Sequence, residues 1–513
     1  MKDKKTTIIL ISITIFALVL RIFGLNWDQN QHLHPDERFL TMVVSDISLT
    51  NLNPANYGYD FYAYGTFPLF ITKLFGTIFS LNSYDQIFLV GRVLSAVFDT
   101  GIILILYLLC NFIKIKTKTN LVVCFLYALS VFPIQLSHFF TVDTFTVFFT
   151  TLSIYFFIKF TKLKDLKNLI LSAIIFGLAL SCKTSIIITI PLFLIFIFLK
   201  SNKHHRLLNP LFFLTFIFIS FRIFQPFAFD GLISFSPKFI QSIDIAHKMI
   251  TGEYQYPPNI QWFSTIPLLH PLVNIFFFGL GPFLTILIFV GIKRSFKFHF
   301  IFLFVILIFF YQGIQLAKYM RYFYPIYPFL IIFAGIGFEK LAPHKTIQRV
   351  FLTLIIINTL LFLSIYTRPN SRVEASKWIC QNLSNQTLSY EYWDDPLPLN
   401  LSSQCNSNSF NLVKLAMFDI ENQDTFSSFI GDLRNIDYLI LSSNRFWRPI
   451  SQNPDKYPNA AKFYKNLFSG QSEFKLIKTF HSYPGIYLKD DFAEESFTVY
   501  DHPQVFIFAK KSI

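Results

Sequence analysis

Long apolar runs recur from Thr6 to Tyr366, separated by short polar connections, and then give way to short apolar runs set among helical patterning. At the usual length of ~20 residues per membrane crossing, the long runs predict about eleven spanning helices. They fall at 6–25, 87–113, 121–136, 142–160, 169–181, 185–199, 211–229, 272–292, 300–315, 322–338 and 350–366. The first run has no small-residue cleavage site after it and carries Arg21 inside its end, so it reads as an uncleaved anchor.

The polar connections alternate in charge. Lys2, Lys4 and Lys5 precede the first run, Lys114, Lys116 and Lys118 follow the second, and Lys159, Lys162, Lys164 and Lys167 follow the fourth. Lys200, Lys203 and Arg206, then Lys293, Arg294 and Lys297, then Lys340, Lys345 and Arg349 continue the series. Every second connection is basic, which predicts a multi-pass protein of the cell membrane with a cytoplasmic N-terminus. The other side then receives a long loop at 26–84, tight turns at 137–143 and 182–184, a second long loop at 230–271, and everything after 366.

Composition agrees with this reading. With 53% hydrophobic and only 14% charged residues, the chain holds more apolar side chain than a soluble fold of 513 residues buries. The formal net charge of +14 is explained by topology. Its basic residues are spread over separate turns and form no single stripe, so nucleic acid is excluded as a partner.

The predicted architecture is therefore all-α in the membrane over 1–366, with a small α/β or α+β extracytoplasmic domain over 367–513. In the tail, 438–441, 474–477 and 505–508 read as strands and 461–468 as a helix. Cys380 and Cys405 are the only tail cysteines. A disulfide and two unpaired buried thiols are both compatible with their placement.

Candidate chemistry gathers on the non-cytoplasmic side. His32-Leu33-His34-Pro35-Asp36-Glu37-Arg38 follows the first span, where carboxylates beside lipid are expensive and so point to function. A carboxylate there can take a proton from an incoming hydroxyl or amine. A departing phosphate needs no acid, only positive charge near its oxygens. Lys183 between two short helices, Arg222 placed about seven residues inside its helix and hence ~10 Å deep, and Arg321 are the candidates; snorkelling of the long basic side chains is the alternative. Asp143, in the turn that also holds His138, is read either as a ligand for the acceptor or a metal, or as a cap on the fourth helix. Arg92 and Asp99, two turns apart, are read as structural pairings with neighbours. No cofactor is required; a divalent ion on His32, His34 and Asp36 stays open, although their spacing matches no closed zinc site.

His34-Pro35-Asp36-Glu37, Tyr64-Gly65-Thr66-Phe67-Pro68-Leu69, Ser137-His138-Phe139 to Asp143, the Lys183 segment, Arg222 with Gln225-Pro226, and Arg321-Tyr322 occur in this order. Together with Tyr390 to Asp395 and Tyr500-Asp501-His502-Pro503, they resemble bacterial polyprenyl-phosphate-dependent glycosyltransferases of the GT-C superfamily, family 39-like. These are related to protein O-mannosyltransferases and lipid A aminoarabinose transferases. The resemblance implies a GT-C fold and inverting transfer of a hexosyl or pentosyl group from a polyprenyl-phosphate donor to a glycan, lipid or protein acceptor. It further implies that Asp36 is the general base and that Glu37 positions a substrate. Lys183 and Arg222 would bind the carrier phosphate, with Arg321, Tyr322, Asp143 and His138 in the substrate site and His34 and Tyr64 supporting the loop. The eukaryotic protein mannosyltransferases carry an inserted sugar-binding domain that this chain lacks.

The alternative is a transporter or flippase of lipid-linked sugars. Against it, the chain shows few charges deep in its spans, no internal repeat and no paired broken helices. A sensor whose tail binds a partner is a further alternative.

Overall fold

The computed structural model describes residues 2–60, 64–402, 404–485 and 489–511; parts of the 26–84 loop and of the tail read above fall outside them. Among the described residues, five helices are long and apolar enough to cross a membrane, or seven if each of two bent pairs counts as one span. The chain is a mostly helical multi-pass membrane protein.

Helix α1 (Lys2–Ile22) leaves most of its apolar surface uncovered, as a helix against lipid does. The 26–84 segment, expected only as a loop, holds α2 (Pro35–Asp46) and α3 (Phe67–Ile78). Then come α4 (Tyr84–Phe112), α5 (Thr117–Ala128), α6 (Val131–Ser137), α7 (Val142–Leu163), α8 (Leu166–Leu180), α9 (Ile190–Lys200) and α10 (Leu208–Phe224). The second long loop folds in part as α11 (Pro237–Thr251). Next are α12 (Leu269–Asn274), α13 (Pro282–Ser295), α14 (His299–Ile314), α15 (Tyr327–Lys340), α16 (Lys345–Leu363) and α17 (Ser371–Asn382).

Several expected straight spans are broken. The run at 121–136 bends by 53° between α5 and α6. The run at 272–292 turns by 118° between Gly279 and Pro282, where Gly281 takes φ +80° and Pro282 opens the next helix. Both runs read as single straight spans in the sequence, and the bends correct that reading. The run at 185–199 begins as a 3₁₀ turn over Thr184–Thr189.

Close helix packing is set by small residues. A Cβ on Gly291 would lie 2.0 Å from the Phe333 carbonyl oxygen, and one on Gly337 would lie 1.9 Å from that of Leu287, so α13 and α15 meet backbone to backbone. At one end of the bundle the basic turns meet, Lys116 pairing with Glu339 at 2.6 Å and Lys164 donating to the Lys200 carbonyl.

The other end carries a five-stranded mixed sheet. Its strands are β1 (Thr387–Glu391), β2 (Asn411–Leu415), β3 (Tyr438–Leu441), β4 (Phe474–Phe480) and β5 (Val505–Lys510), in the order β2-β1-β3-β5-β4. Strands β1, β2 and β3 run parallel, and β5 runs antiparallel to β3 and β4. Alternation sorts the side chains: Leu439, Leu441, Phe506 and Phe508 face α18 (Gln423–Asn435) and α20 (Pro458–Phe468), while Ile440, Val505 and Ile507 face α17. The three strands and the helix expected in the tail are present; β1 and β2 are additions. Short α19 (Trp447–Ser451) and α21 (Glu495–Thr498) complete the set. Cys380 and Cys405 are joined by a disulfide.

The sheet region is clamped to the bundle by buried charge. His502 lies 2.5 Å from Asp501 and 2.8 Å from Asp490, and Asp501 also accepts from Gln135 of α6 and from the Tyr366 hydroxyl at 2.9 Å. Its two carboxylates outweigh burial and raise His502 to about 10.

Candidate active site at the sheet-bearing end

Asp36 is fixed by local helix chemistry. His34 caps α2, its Nδ1 accepting from the Glu37 N–H, and Pro35 opens the first turn, so Asp36 and Glu37 sit at a helix N-terminus that favours carboxylates. The roughly 100° between consecutive helical positions then separates their fates. Asp36 faces a cavity of about 580 Å³. Glu37 points into the protein, where Arg92 holds it at 2.5 Å and the Phe140 N–H donates to it at 2.6 Å.

Asp36 accepts from the Tyr64 hydroxyl at 2.8 Å and from the Arg321 guanidinium. Tyr64 is aimed by the strand of backbone that follows it. Gly65 N–H donates to the Cys182 carbonyl, Thr66 N–H to Gln225 Oε1 at 2.6 Å, and a Cβ on Gly65 would lie 1.9 Å from the Ser181 carbonyl oxygen. Only glycine fits that approach. Burial alone would raise Asp36, but Arg321 and its hydrogen bonds prevail and hold it well below the usual carboxylate range. Burial lowers His34 to about 4, so its ring is neutral against Tyr500, 4.0 Å away.

Lys183 lies in the turn after α8 and donates to Asp143 of α7 at 2.7 Å, with its ammonium over the Tyr322 ring at 4.8 Å. Asp143 makes no helix cap; the cap position is Thr141. Arg321 also lies over the Tyr319 ring, at 5.2 Å. The floor of the cavity thus holds two cations and two carboxylates in two ion pairs, drawn from four separate elements, with Asp143 buried and the other three partly exposed.

The roof comes from the tail. Arg372 reaches Asp394 and Asp395, both at 2.9 Å, Arg38 of α2 meets Asp395 at 2.7 Å, and Arg445 holds Glu495 at 2.6 Å. Trp393 and Tyr500 line the same space, and α11 contributes Ile243, Ala246, Met249 and Ile250. These residues were missed as site members. The segments at 390–395 and 500–503 stood out as patterns, but charged residues in a polar tail otherwise look solvent-facing.

Three expected site residues are elsewhere. Glu37 is sealed with Arg92 and Asp28 and does not line the cavity, because two carboxylates around one guanidinium complete its coordination. His138 is buried under the site, its ring nitrogens 2.8 Å from the Ile134 and Phe23 carbonyls and its face stacked on Tyr366 at 4.0 Å. Arg222 is near its helix end rather than deep inside, since α10 stops at Phe224 before Pro226. Its guanidinium donates to the carbonyls of Pro226 and Gly231 outside the cavity. Arg92 and Asp99 do pair with neighbours: Arg92 with Asp28 and Glu37, Asp99 with Arg21, Tyr127 and Tyr324. Among the described residues, His32, His34 and Asp36 form no group that could hold a metal; His32 turns toward Asp85 at 3.4 Å.

The family model for dolichyl-phosphate-mannose-protein mannosyltransferase matches residues 66–229. No curated protein sequence matches the chain. Among solved structures, the archaeal oligosaccharyltransferase AglB from Archaeoglobus fulgidus, in complex with an inhibitory peptide and a dolichol-phosphate, superposes with a TM-score of 0.56 at 13% identity, over 90% of this chain and 72% of that one. An Archaeoglobus fulgidus oligosaccharyltransferase in the apo form gives 0.56 at 13% identity, over 94% and 74%. ArnT from Cupriavidus metallidurans bound to undecaprenyl phosphate gives 0.48 at 16% identity, over 69% and 64%. The GT-C resemblance noted in the sequence is borne out in the fold.

Proposed function

We propose that this chain is a GT-C glycosyltransferase that moves a sugar from a polyprenyl-phosphate carrier to an acceptor on the non-cytoplasmic face. The observation that carries the reading is the floor of the cavity, where Asp36 shares one space with Arg321 and Lys183. The acceptor oxygen or nitrogen attacks the anomeric carbon while Asp36 takes its proton. The bond from that carbon to the phosphate oxygen breaks on the opposite face, giving inversion and a free polyprenyl phosphate. Arg321 and Lys183 stabilise the charge that develops on the leaving oxygens.

Both cations are paired with carboxylates. An arriving phosphate competes for them, and withdrawing Arg321 from Asp36 raises the basicity of that carboxylate as the donor docks. Donor binding and activation of the base are then one event. Tyr64 keeps Asp36 oriented through the exchange, and the Trp393 and Tyr500 rings offer faces to a sugar. Arg222, His138 and Glu37 have no part in phosphate or acceptor contact.

Four shorter apolar helices coincide with expected crossings, at Leu166–Leu180, Thr184–Lys200, Leu208–Phe224 and His299–Ile314. Counted with the long helices and bent pairs, and with the shorter apolar helix Phe67–Ile78 left outside the membrane, they support a reading of eleven spans. Basic turns at the opposite end support a cytoplasmic N-terminus, which puts the cavity and residues 367–513, as a separate domain, outside. No residue of either bent pair lines the cavity, unlike the broken helices that form transporter sites.

The test is sugar transfer by purified protein in detergent from a polyprenyl-phosphate sugar, with binding of the donor measured beside it. Asp36→Asn is expected to abolish transfer and keep donor affinity. Full turnover by that variant would remove Asp36 as the base, and a protein that binds donor without ever transferring would point to transport.

A further inference from the structure

Arg222 takes no part in the transfer site, yet its guanidinium is fixed. It donates to the Pro226 carbonyl at 3.4 Å and to the Gly231 carbonyl at 3.1 Å, and lies over the Phe229 ring at 5.0 Å. The chain it holds is a short hairpin. The Asp230 N–H donates to the Ser234 carbonyl at 3.1 Å and the Ser236 N–H to the Ala228 carbonyl at 2.9 Å, with Phe229 and Phe235 paired antiparallel. Their rings stack at 4.7 Å; Phe229 packs on Phe221 of α10 at 5.8 Å and Phe235 on Phe239 of α11 at 5.4 Å. The base of the hairpin is therefore tied to two helices by hydrogen bonds and aromatic packing.

Its tip carries Leu232 and Ile233, 85% and 74% exposed. A tip braced in this way cannot fold its side chains back onto the protein, and leaving two adjacent large apolar side chains in water is unfavourable. Their surroundings indicate what covers them. Leu208, Leu211, Phe212, Ile219 and Ile223 are exposed along one face of α10 at helical spacing, the pattern of a helix against lipid. Arg222 adjoins the last of these and holds Gly231, so the tip continues the lipid-facing stripe beyond the end of the helix. Charge sets a limit on depth. Asp230 and Lys238 flank the tip and are exposed, Lys238 pairing with Asp60 at 2.8 Å, and charged groups are costly in hydrocarbon.

We propose that Leu232 and Ile233 enter the hydrocarbon of the leaflet at the cavity end of the bundle, as a fixed anchor braced by Arg222 at headgroup level. The arginine stem runs along apolar surface while its head stays among polar groups. Helix α11 begins at Pro237, directly after the hairpin, and lines the cavity with Ile243, Ala246, Met249 and Ile250. The anchor thus ties one wall of the cavity to the bilayer. It rests on the membrane fold and does not depend on the transfer chemistry.

The experiment uses the full-length protein in phosphatidylcholine bilayers, with Leu232→Cys or Ile233→Cys carrying a nitroxide label. Collision of the label with oxygen, which concentrates in hydrocarbon, is compared with collision with a nickel chelate, which stays in water. Ile219→Cys on the α10 stripe and Gln423→Cys on exposed α18 give the two limits, and the wild-type chain, whose free cysteines Cys110, Cys124 and Cys182 are buried, gives the blank. Labels at 232 and 233 are expected to match the Ile219 limit, and adding Arg222→Gln is expected to shift the 232 label toward water. Labels that match the Gln423 limit overturn the proposal. So does shielding from both reagents, or dipolar broadening between labels, which would put a second copy of the chain on the tip. An unmoved label in a folded Arg222→Gln protein overturns Arg222 as the brace. Both tip positions project from the packed base, so either label serves if the other variant does not fold.

Discussion

Asp36 and Glu37 are neighbours in sequence, both carboxylates, both answered by arginine, yet they belong to two different kinds of charge cluster. Glu37 shares Arg92 with Asp28; all three side chains are fully buried, and the guanidinium is sandwiched between Trp27 at 4.9 Å and Phe88 at 4.7 Å. Asp36 meets Arg321 at a cavity wall, where each keeps about a seventh of its side chain exposed, at 14% and 16%. The sealed cluster has every direction filled. Among the described residues the open one leaves Arg321 Nε without a partner, and both ions line the cavity. Closed clusters hold helices in register; open ones are poised to exchange partners.

The comparison can be broken most directly by Asp36→Asn. If the open pair is catalytic, transfer falls by about a hundred- to ten-thousandfold, the range of general-base removal, while thermal stability stays put. Glu37→Ala should invert that pattern. Stripping one partner from a buried pair destabilises by about 3–5 kcal/mol, seen as a lower melting temperature or loss of folded protein, with donor affinity kept in whatever remains folded.

A second closed cluster sharpens the contrast through pH. His502 is raised above its unfolded value of 6.5 to about 10, so its stabilisation is complete below pH 6.5. It is lost as pH climbs through about 10, at no more than about 1.4 kcal/mol per pH unit. Melting curves between pH 6.5 and 10 should show the decline, and His502→Gln should flatten it. The smallest effect is expected from Lys183→Ala. Removing one charged contact should weaken donor binding about tenfold, because Arg321 remains. Unchanged donor affinity would exclude Lys183 from the phosphate site.

Much of the bundle was legible because apolar length and the spacing of basic turns are local signals. The strands at 438–441 and 505–508 were legible for the same reason, since β-branched and aromatic alternation survives in a single sequence. The bends were not. Gly281-Pro282 lies inside a run apolar enough to read as one helix, and hydropathy is blind to the direction of an axis. Arg222 was placed too deep because the apolar count continued through Phe227 and Phe229, past the point where Pro226 had already ended the helix.

At the site, residue type announced Asp36, Lys183, Asp143 and Arg321, since charges between apolar runs are costly and conspicuous. Nothing in the type of Glu37 or His138 distinguished them from their catalytic-looking neighbours. Their sealing is decided by Arg92, 55 residues from Glu37, and by Tyr366 stacking on His138. Arg372, Arg445 and Glu495 escaped notice for the converse reason: they are buried in the folded chain and paired with tail residues distant in sequence.

Sequence alone determined which segments are apolar enough to enter a membrane and which residues can carry chemistry, because transfer free energy and ionisation belong to individual side chains. Tertiary structure decided which of those charges are spent on each other and which face open space. Ion pairing in a low-dielectric interior depends on distances between atoms far apart in the chain, and no local pattern encodes those distances.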